Sequence, residues 1–174
     1  MSQKIQFIVT VLHRPKLLIF DDPFSGFDPI NADRIKDEIL ALKENGTSII
    51  FSTHRMESVE ELCEYIALLH KSEKILDGKL WDIKKAYKNN SYNVGVKLFS
   101  EPNGILDELN EKFKISDAGY DSQELQFNFT MHLPDENTAA ALDLLQTKGN
   151  INHFKEVIPS ANDIFIQTVK AKTQ

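Results

Sequence analysis

Apolar positions along the chain alternate between helical and strand periods. Ile5, Ile8, Val9 and Leu12 recur at helical spacing until Arg14-Pro15 ends the pattern. Lys16 to Phe20 is a short apolar run stopped by two acids, the pattern of a buried parallel strand. Asp28-Pro29 then opens a helix to about Glu44, with Asp28 as N-cap and Pro29 as first helical residue. Asn45-Gly46 closes it, because glycine takes the left-handed conformation without penalty. Thr47 to Ser52 reads as a second buried strand and Met56 to Glu64 as a second helix. Strands alternating with helices predict an α/β layer with a parallel sheet.

The pattern then changes. Tyr65 to Leu69 and Lys74 to Leu76 read as strands around a Lys71-Ser72 turn, and Trp81 to Tyr87 as a short helix. Lys88-Asn89-Asn90-Ser91 is polar and aperiodic, which places a domain boundary there and divides the chain into residues 1–90 and 91–174. Beyond it come a strand (Tyr92 to Leu98), a helix face (Ile105, Leu106, Leu109, Phe113) and two strands (Lys114 to Ala118, Leu125 to Met131). A helix (Ala139 to Leu145), a strand (Ile151 to Ile158) and a last helix (Ala161 to Lys170) complete the chain. The order β-α-β-β-α-β predicts an α+β, ferredoxin-like second domain.

Composition narrows the function. The 174 residues are 41% hydrophobic and 26% charged, typical of a folded globular chain, and the net charge of −6 argues against a nucleic-acid partner. Cys63 is the single cysteine, so no intrachain disulfide and no thiolate metal cage can form, and an inert, buried thiol is expected. No apolar run is long enough to span a bilayer and no secretory leader is evident, so the expected location is cytoplasmic.

Two segments carry candidate chemistry. Leu17-Leu18-Ile19-Phe20 ends in Asp21-Asp22-Pro23, followed by Ser25-Gly26-Phe27-Asp28. Carboxylates at the carboxyl end of a parallel strand face the crevice where ligands of α/β sheets sit. One such acid suits Mg²⁺, directly or through water, and the other suits the orientation of an attacking water. The competing reading is ordinary turn chemistry, since Asp, Pro, Ser and Gly are common in turns. The second segment is Ile49-Ile50-Phe51-Ser52-Thr53-His54. A histidine at the end of an adjacent strand reaches the same crevice edge. Here the competing reading is a helix start, with Ser52 or Thr53 as cap and His54 solvated.

These segments resemble those of the ATP-binding subunits of ABC transporters. The apolar strand with its acids resembles the Walker B motif, Ser25-Gly26-Phe27-Asp28 the D-loop and His54 the switch histidine, in the family's order. Met1 to Phe7 resembles the tail of the signature motif and its helix. The resemblance covers about the first half of the chain and implies part of a P-loop NTPase (RecA-like) sheet. The second half is similar to the small domain that follows the ATPase core in some bacterial subunits, including sodium-exporter-like ones. Pro159 to Phe165 looks like the closing segment of that domain. By resemblance, Asp21 helps hold Mg²⁺, Asp22 and His54 are catalytic, and Ser25, Gly26 and Asp28 form the D-loop at the nucleotide site. The implied cofactors of the full-length protein are ATP and Mg²⁺. The implied partners are a membrane permease and a second ATP-binding subunit, with the protein peripheral on the inner face of the membrane.

The sequence departs from the family in three ways. No G-x-x-x-x-G-K-[ST] loop occurs, and without it no nest of backbone N–H groups cradles phosphates. The leading Ser and Gly residues of the signature motif and the Q-loop are missing, so the chain is expected to be a fragment that binds and hydrolyses no ATP alone. Asp22 stands where the family usually has glutamate. Two further readings stand beside the transporter subunit: a soluble ABC-type ATPase of repair or translation, and a non-catalytic interaction or regulatory module. In the second half, Phe127 and Phe129 share a strand face that is either packed under helices or open to stack on bases.

Overall fold

The structure, a computed structural model, describes residues 2–99, 105–134 and 137–173. In chain order it contains α1 (Ser2–Val11), β1 (Leu17–Asp21), α2 (Pro29–Glu44), β2 (Ser48–Ser52), α3 (Met56–Leu62), β3 (Tyr65–His70), β4 (Glu73–Lys79) and α4 (Leu80–Ala86). It continues with β5 (Ser91–Leu98), α5 (Ile105–Lys112), β6 (Lys114–Asp121), β7 (Gln126–His132), α6 (Thr138–Lys148), β8 (Gly149–Glu156) and α7 (Ala161–Thr173). The architecture is mixed α/β, with one parallel and two antiparallel sheets. Among the described residues no helix is long and apolar enough to cross a membrane.

Two compact units divide the chain: Met1–Leu80 with Ala161–Gln174, and Trp81–Ser160. This differs from the boundary expected at residue 90. The polar stretch 88–91 leads straight into β5 inside the second unit, and α7, expected to close the second domain, belongs to the first. The reason is contact made far along the chain. Helix α7 packs on α3 and β4, its first N–H (Ala161) donates to the Glu60 carboxylate, and Lys172 pairs with Glu73 at 3.2 Å.

In the first unit, β1 and β2 run parallel in the register Leu17↔Ser48 through Asp21↔Ser52. Helix α2 starts where the sequence places it: the Asp28 side chain accepts from the Asn31 N–H, and Pro29 occupies the first turn. Gly46 follows at φ 88°, the left-handed conformation that lets the chain turn back into β2. The core is Phe24, Ile35, Ile39 and Leu62, with Phe20, Ile49 and Phe51 packed against it. Phe24 is fully buried and meets the Phe51 ring edge-on at 6.0 Å. The β3–β4 hairpin turns at Lys71 and Ser72, both with positive φ as a two-residue hairpin turn of the I′ kind requires.

One expectation is corrected here. Strands β1 and β2 were read as buried on both faces, yet only one face is covered. Leu18 is buried, whereas Ile19 is 70% exposed and Leu17 and Ile50 are also open. The pleat explains it: alternate residues face α2 and the core, and their neighbours face the opposite side. Ile5, Ile8 and Val9 on α1, and Leu12 just after it, are exposed as well.

In the second unit the strands form one antiparallel sheet in the order β6-β7-β5-β8. Val94, Val96, Phe129 and Met131 pack against Leu109 of α5 and Ala141 and Leu145 of α6. Phe129 is buried and Phe127 packs on the same core, so these aromatics are not an open stacking surface. Asn93, Asn128 and Thr130 lie on the other face, where Thr130 and Asn93 join at 3.2 Å. Lys148 of α6 pairs with Glu108 of α5. Gly149, the first residue of β8, comes close to β5: a Cβ there would run into the Lys97 carbonyl and the Val96 side chain. Gly149→Ala is expected to destabilise this unit by about 1–3 kcal/mol through overpacking. Urea unfolding monitored by Trp81 fluorescence and far-UV circular dichroism measures it.

Candidate functional site

Parallel pairing of β1 with β2 brings their carboxyl ends together. The Asp22 N–H extends the ladder by donating to the Ser52 carbonyl at 2.9 Å. Beyond that bond the two chains carry their polar residues side by side: Asp21 and Asp22 on one, Ser52, Thr53 and His54 on the other. The Ser52 hydroxyl donates to Asp21 Oδ1. The Thr53 hydroxyl donates to Asp22 Oδ1 at 3.1 Å, and His54 Nδ1 lies 3.0 Å from Asp22 Oδ2.

Chemistry fixes the direction of these bonds. An ionised carboxylate only accepts, so Nδ1 of His54 carries the proton and Nε2 remains for another partner. His54 is 81% exposed while Asp22 is 26% exposed, so the imidazole is reachable from outside and the acid behind it is sheltered. Asp22 also has a positive φ of 41°, sparsely populated for a residue with a side chain.

Asp22 to Asp28 forms a tight loop anchored by Phe24 in the core. The Ser25 N–H donates to the Asp22 carbonyl at 3.1 Å, and Gly26 takes φ 76°. Ser25 and Gly26 are exposed beside Asp22. Asp28 is placed differently from the other acids. Both its oxygens are engaged by Asn31, one by the backbone N–H at 3.1 Å and one by the side-chain amide. Lys4 of α1 in turn donates to the side-chain amide oxygen (Oδ1) of Asn31, so α1 is tied to the start of α2. Donation from the Asn31 side chain, then from its N–H, holds the Asp28 carboxyl below the ordinary aspartate range.

The structure thus joins Asp22 with His54, pairs Asp21 with Ser52, ties the Ser25 N–H to the Asp22 carbonyl, and gives Asp28 a capping role. Met1, in the segment that resembles the signature motif, lies outside the described residues. Neither Ser52 nor Thr53 caps α3: the N-cap there is Arg55, without a side-chain bond. Sequence reading weighed Thr53 only as a cap and missed its bond to Asp22. The available signal was two hydroxyl residues at the end of the strand paired to the acidic one. Cys63 is half-buried, and burial pushes its thiol up, against the pull of Lys43, as an inert thiol requires.

Known proteins resemble this chain over nearly its whole length. The family model for the C-terminal domain of DrrA1-3-like ATP-binding proteins matches residues 78–169. The ABC transporter ATP-binding protein YhaQ of Bacillus subtilis is 41% identical over 98% of this chain and 54% of its own length. An ABC transporter ATP-binding protein of Alkalihalophilus pseudofirmus is 37% identical over 97% of this chain and 60% of its own. A solved structure of the ATP-binding subunit of an ABC transporter aligns at 31% identity over 50% of this chain and 36% of its own, with a TM-score of 0.47. The chain therefore spans little more than half the length of the curated relatives it matches.

The Asp28 cap has a measurable pH signature. A folded-state pKa below the unfolded value contributes stability that is present above the ordinary aspartate range and is lost as pH falls below it. Asp28→Asn, which keeps a capping side chain but no charge, is expected to flatten that acid limb. Asp28→Ala is expected to lower the melting temperature at neutral pH as well. Thermal melts between neutral and strongly acidic pH separate the two.

Proposed function

The chain belongs to the ATP-binding proteins of ABC transporters, and from that membership we propose that it is the C-terminal part of an ATPase subunit powering a separate membrane permease. The observation that carries this reading is the pairing of Asp22 with His54, 3.0 Å apart at the ends of two adjacent parallel strands. In this reading β1 and β2 belong to the parallel sheet of a P-loop NTPase (RecA-like) core.

The geometry supports the following roles. Asp21, with the Ser52 hydroxyl beside it, offers the hard oxygen donors that suit Mg²⁺, an ion that takes one or two carboxylates and fills its shell with water and phosphate. Asp22 takes the proton of the attacking water. His54 accepts a hydrogen bond from that water through Nε2 while its Nδ1–H remains on Asp22; as the imidazolium, with both nitrogens protonated, it would instead donate to the γ-phosphate. ATP and Mg²⁺ supply the leaving group and the charge neutralisation, and the residues on this chain supply orientation. Ser25 and Gly26 form the exposed turn of the D-loop that faces a second ATP-binding subunit. Asp28 serves that loop by fixing the start of α2, since both of its oxygens are committed to Asn31.

We read the second unit as a ferredoxin-like accessory domain. Its sheet order, with the outer strands β6 and β8 flanking β7 and β5, and its two helices on one face support this reading. The protein then sits in the cytoplasm on the inner face of the membrane through its permease.

Two experiments test the reading. The sequence holds no phosphate-cradling glycine loop, so calorimetric titration of this chain with Mg-ATP is expected to show no binding. Saturable binding would overturn the expected inactivity of the chain alone. In a full-length subunit, Asp22→Glu lengthens the acid by one methylene. It is expected to raise turnover on the order of 10²-fold, because a misplacement of roughly 1 Å carries a penalty of that size. No gain would remove the argument that the shorter acid sits too far from the water.

A further inference from the structure

We infer that Thr53 is a positioning residue for Asp22, an inference that rests on the reading of Asp22 as the base of an ATPase. A hydroxyl has one proton and two lone pairs. The Thr53 oxygen accepts the Arg55 N–H at 3.1 Å, and its proton goes to Asp22 Oδ1 at 3.1 Å. The Arg55 backbone therefore aims the hydroxyl, and the hydroxyl holds one carboxylate oxygen. The other oxygen, Oδ2, then faces His54 Nδ1.

The main chain of Asp22 is held on both sides as well, by its N–H to Ser52 and by the Ser25 N–H to its carbonyl. A non-glycine residue at φ 41° persists when its surroundings hold it there, and these bonds do so. The backbone is thus fixed, and the remaining freedom is side-chain rotation about χ1 and χ2. The Thr53 bond restricts that rotation. Without its proton, Oδ1 has no tether from the segment that follows β2, and the plane of the carboxylate relative to His54 is no longer set. The residue touches neither phosphate nor water and acts only through Asp22.

Thr53→Val keeps the side-chain volume and deletes the hydroxyl, while Thr53→Ser keeps the hydroxyl. In this chain, labelled with ¹³C, Thr53→Val is expected to move the Asp22 carboxyl resonance at neutral pH, with the amide spectrum unchanged beyond residue 53 and Arg55, whose N–H loses its acceptor, and Thr53→Ser to restore it. In the full-length subunit, Thr53→Val is expected to lower kcat roughly 10- to 100-fold with KM for ATP nearly constant, the signature of a misaligned group. Thr53→Ser should recover most of that loss. With Asp22→Asn already in place, Thr53→Val should add nothing. The inference is overturned if Thr53→Val leaves the resonance and kcat unchanged while Asp22→Asn lowers turnover. It is also overturned if Thr53→Ser is as poor as Thr53→Val, or if Thr53→Val lowers turnover further on top of Asp22→Asn. Should Asp22→Asn itself leave turnover intact, the ATPase reading of Asp22 falls and the catalytic sense of Thr53 with it; the carboxyl resonance still reports the hydrogen bond in that case.

Discussion

The in-register parallel pairing of Leu17–Asp21 with Ser48–Ser52 is the constraint on which the candidate site depends. Side chains on a strand alternate between faces, so a slip of one residue would turn every side chain of β1 to the other side. Leu18 and Phe20 would leave the core, and the acids would lose their partners on β2. Register is therefore set by burial: Phe20, Ile49 and Phe51 pack on Phe24, Ile35, Ile39 and Leu62, and the polar ends must follow. Hydrophobic packing in the middle of two short strands thus determines which hydroxyl meets which carboxylate at their tips. The Asp22 N–H to Ser52 bond carries the same register one residue past the end of β1.

The opposite face of that pair presents the reverse situation. Leu17, Ile19 and Ile50 are apolar and exposed, as are Ile5, Ile8 and Val9 of α1 and Leu12 just after it. Single exposed apolar residues are ordinary on proteins, but apolar residues on both faces of neighbouring parallel strands are the pattern of a sheet covered on both sides. The relatives are longer than this chain by a substantial fraction of their length. On the proposed reading, that remaining length is what covers the face. The same reading accounts for a site that has its acids and its histidine but no loop to hold phosphates.

Much of this was legible in the sequence because it is local. Asp28-Pro29 announced the start of α2, Asn45-Gly46 its end, and the apolar runs the two strands, each through chemistry contained within a few residues. The core face of the second unit was equally plain, since Val94 and Val96, and Phe129 and Met131, stand at period two. What escaped were choices made by distant contacts. Helix α7 has an unremarkable amphipathic pattern, and nothing in it says that it packs on α3 rather than on its sequence neighbours. The Glu60 carboxylate that receives its first N–H lies 101 residues away. Thr53 escaped for a related reason. Its local options, cap or turn, are visible from the sequence, whereas its bond to Asp22 exists only once β1 and β2 are adjacent.

The path of the chain gives α7 a consequence for the site. The chain leaves the first unit after Leu80 and re-enters it at Ala161, so α7 is held at both ends by that unit: at its start by Glu60 of α3, and near its end by Glu73 of β4. Helix α3 begins two residues after His54 and has no side-chain N-cap of its own. Its position is set instead by burial of Leu62 in the core and of Ser58, by the packing of α7, and by the pairing of Glu61 with Lys36 of α2. The segment that carries His54 is consequently suspended between β2, fixed by the sheet, and α3, fixed by helices from two distant parts of the chain. A histidine on a free loop would sample many orientations and lose the 3.0 Å contact with Asp22. Held from both sides, it needs only the Asp22 carboxylate, aligned by Thr53, to select the tautomer with its proton on Nδ1.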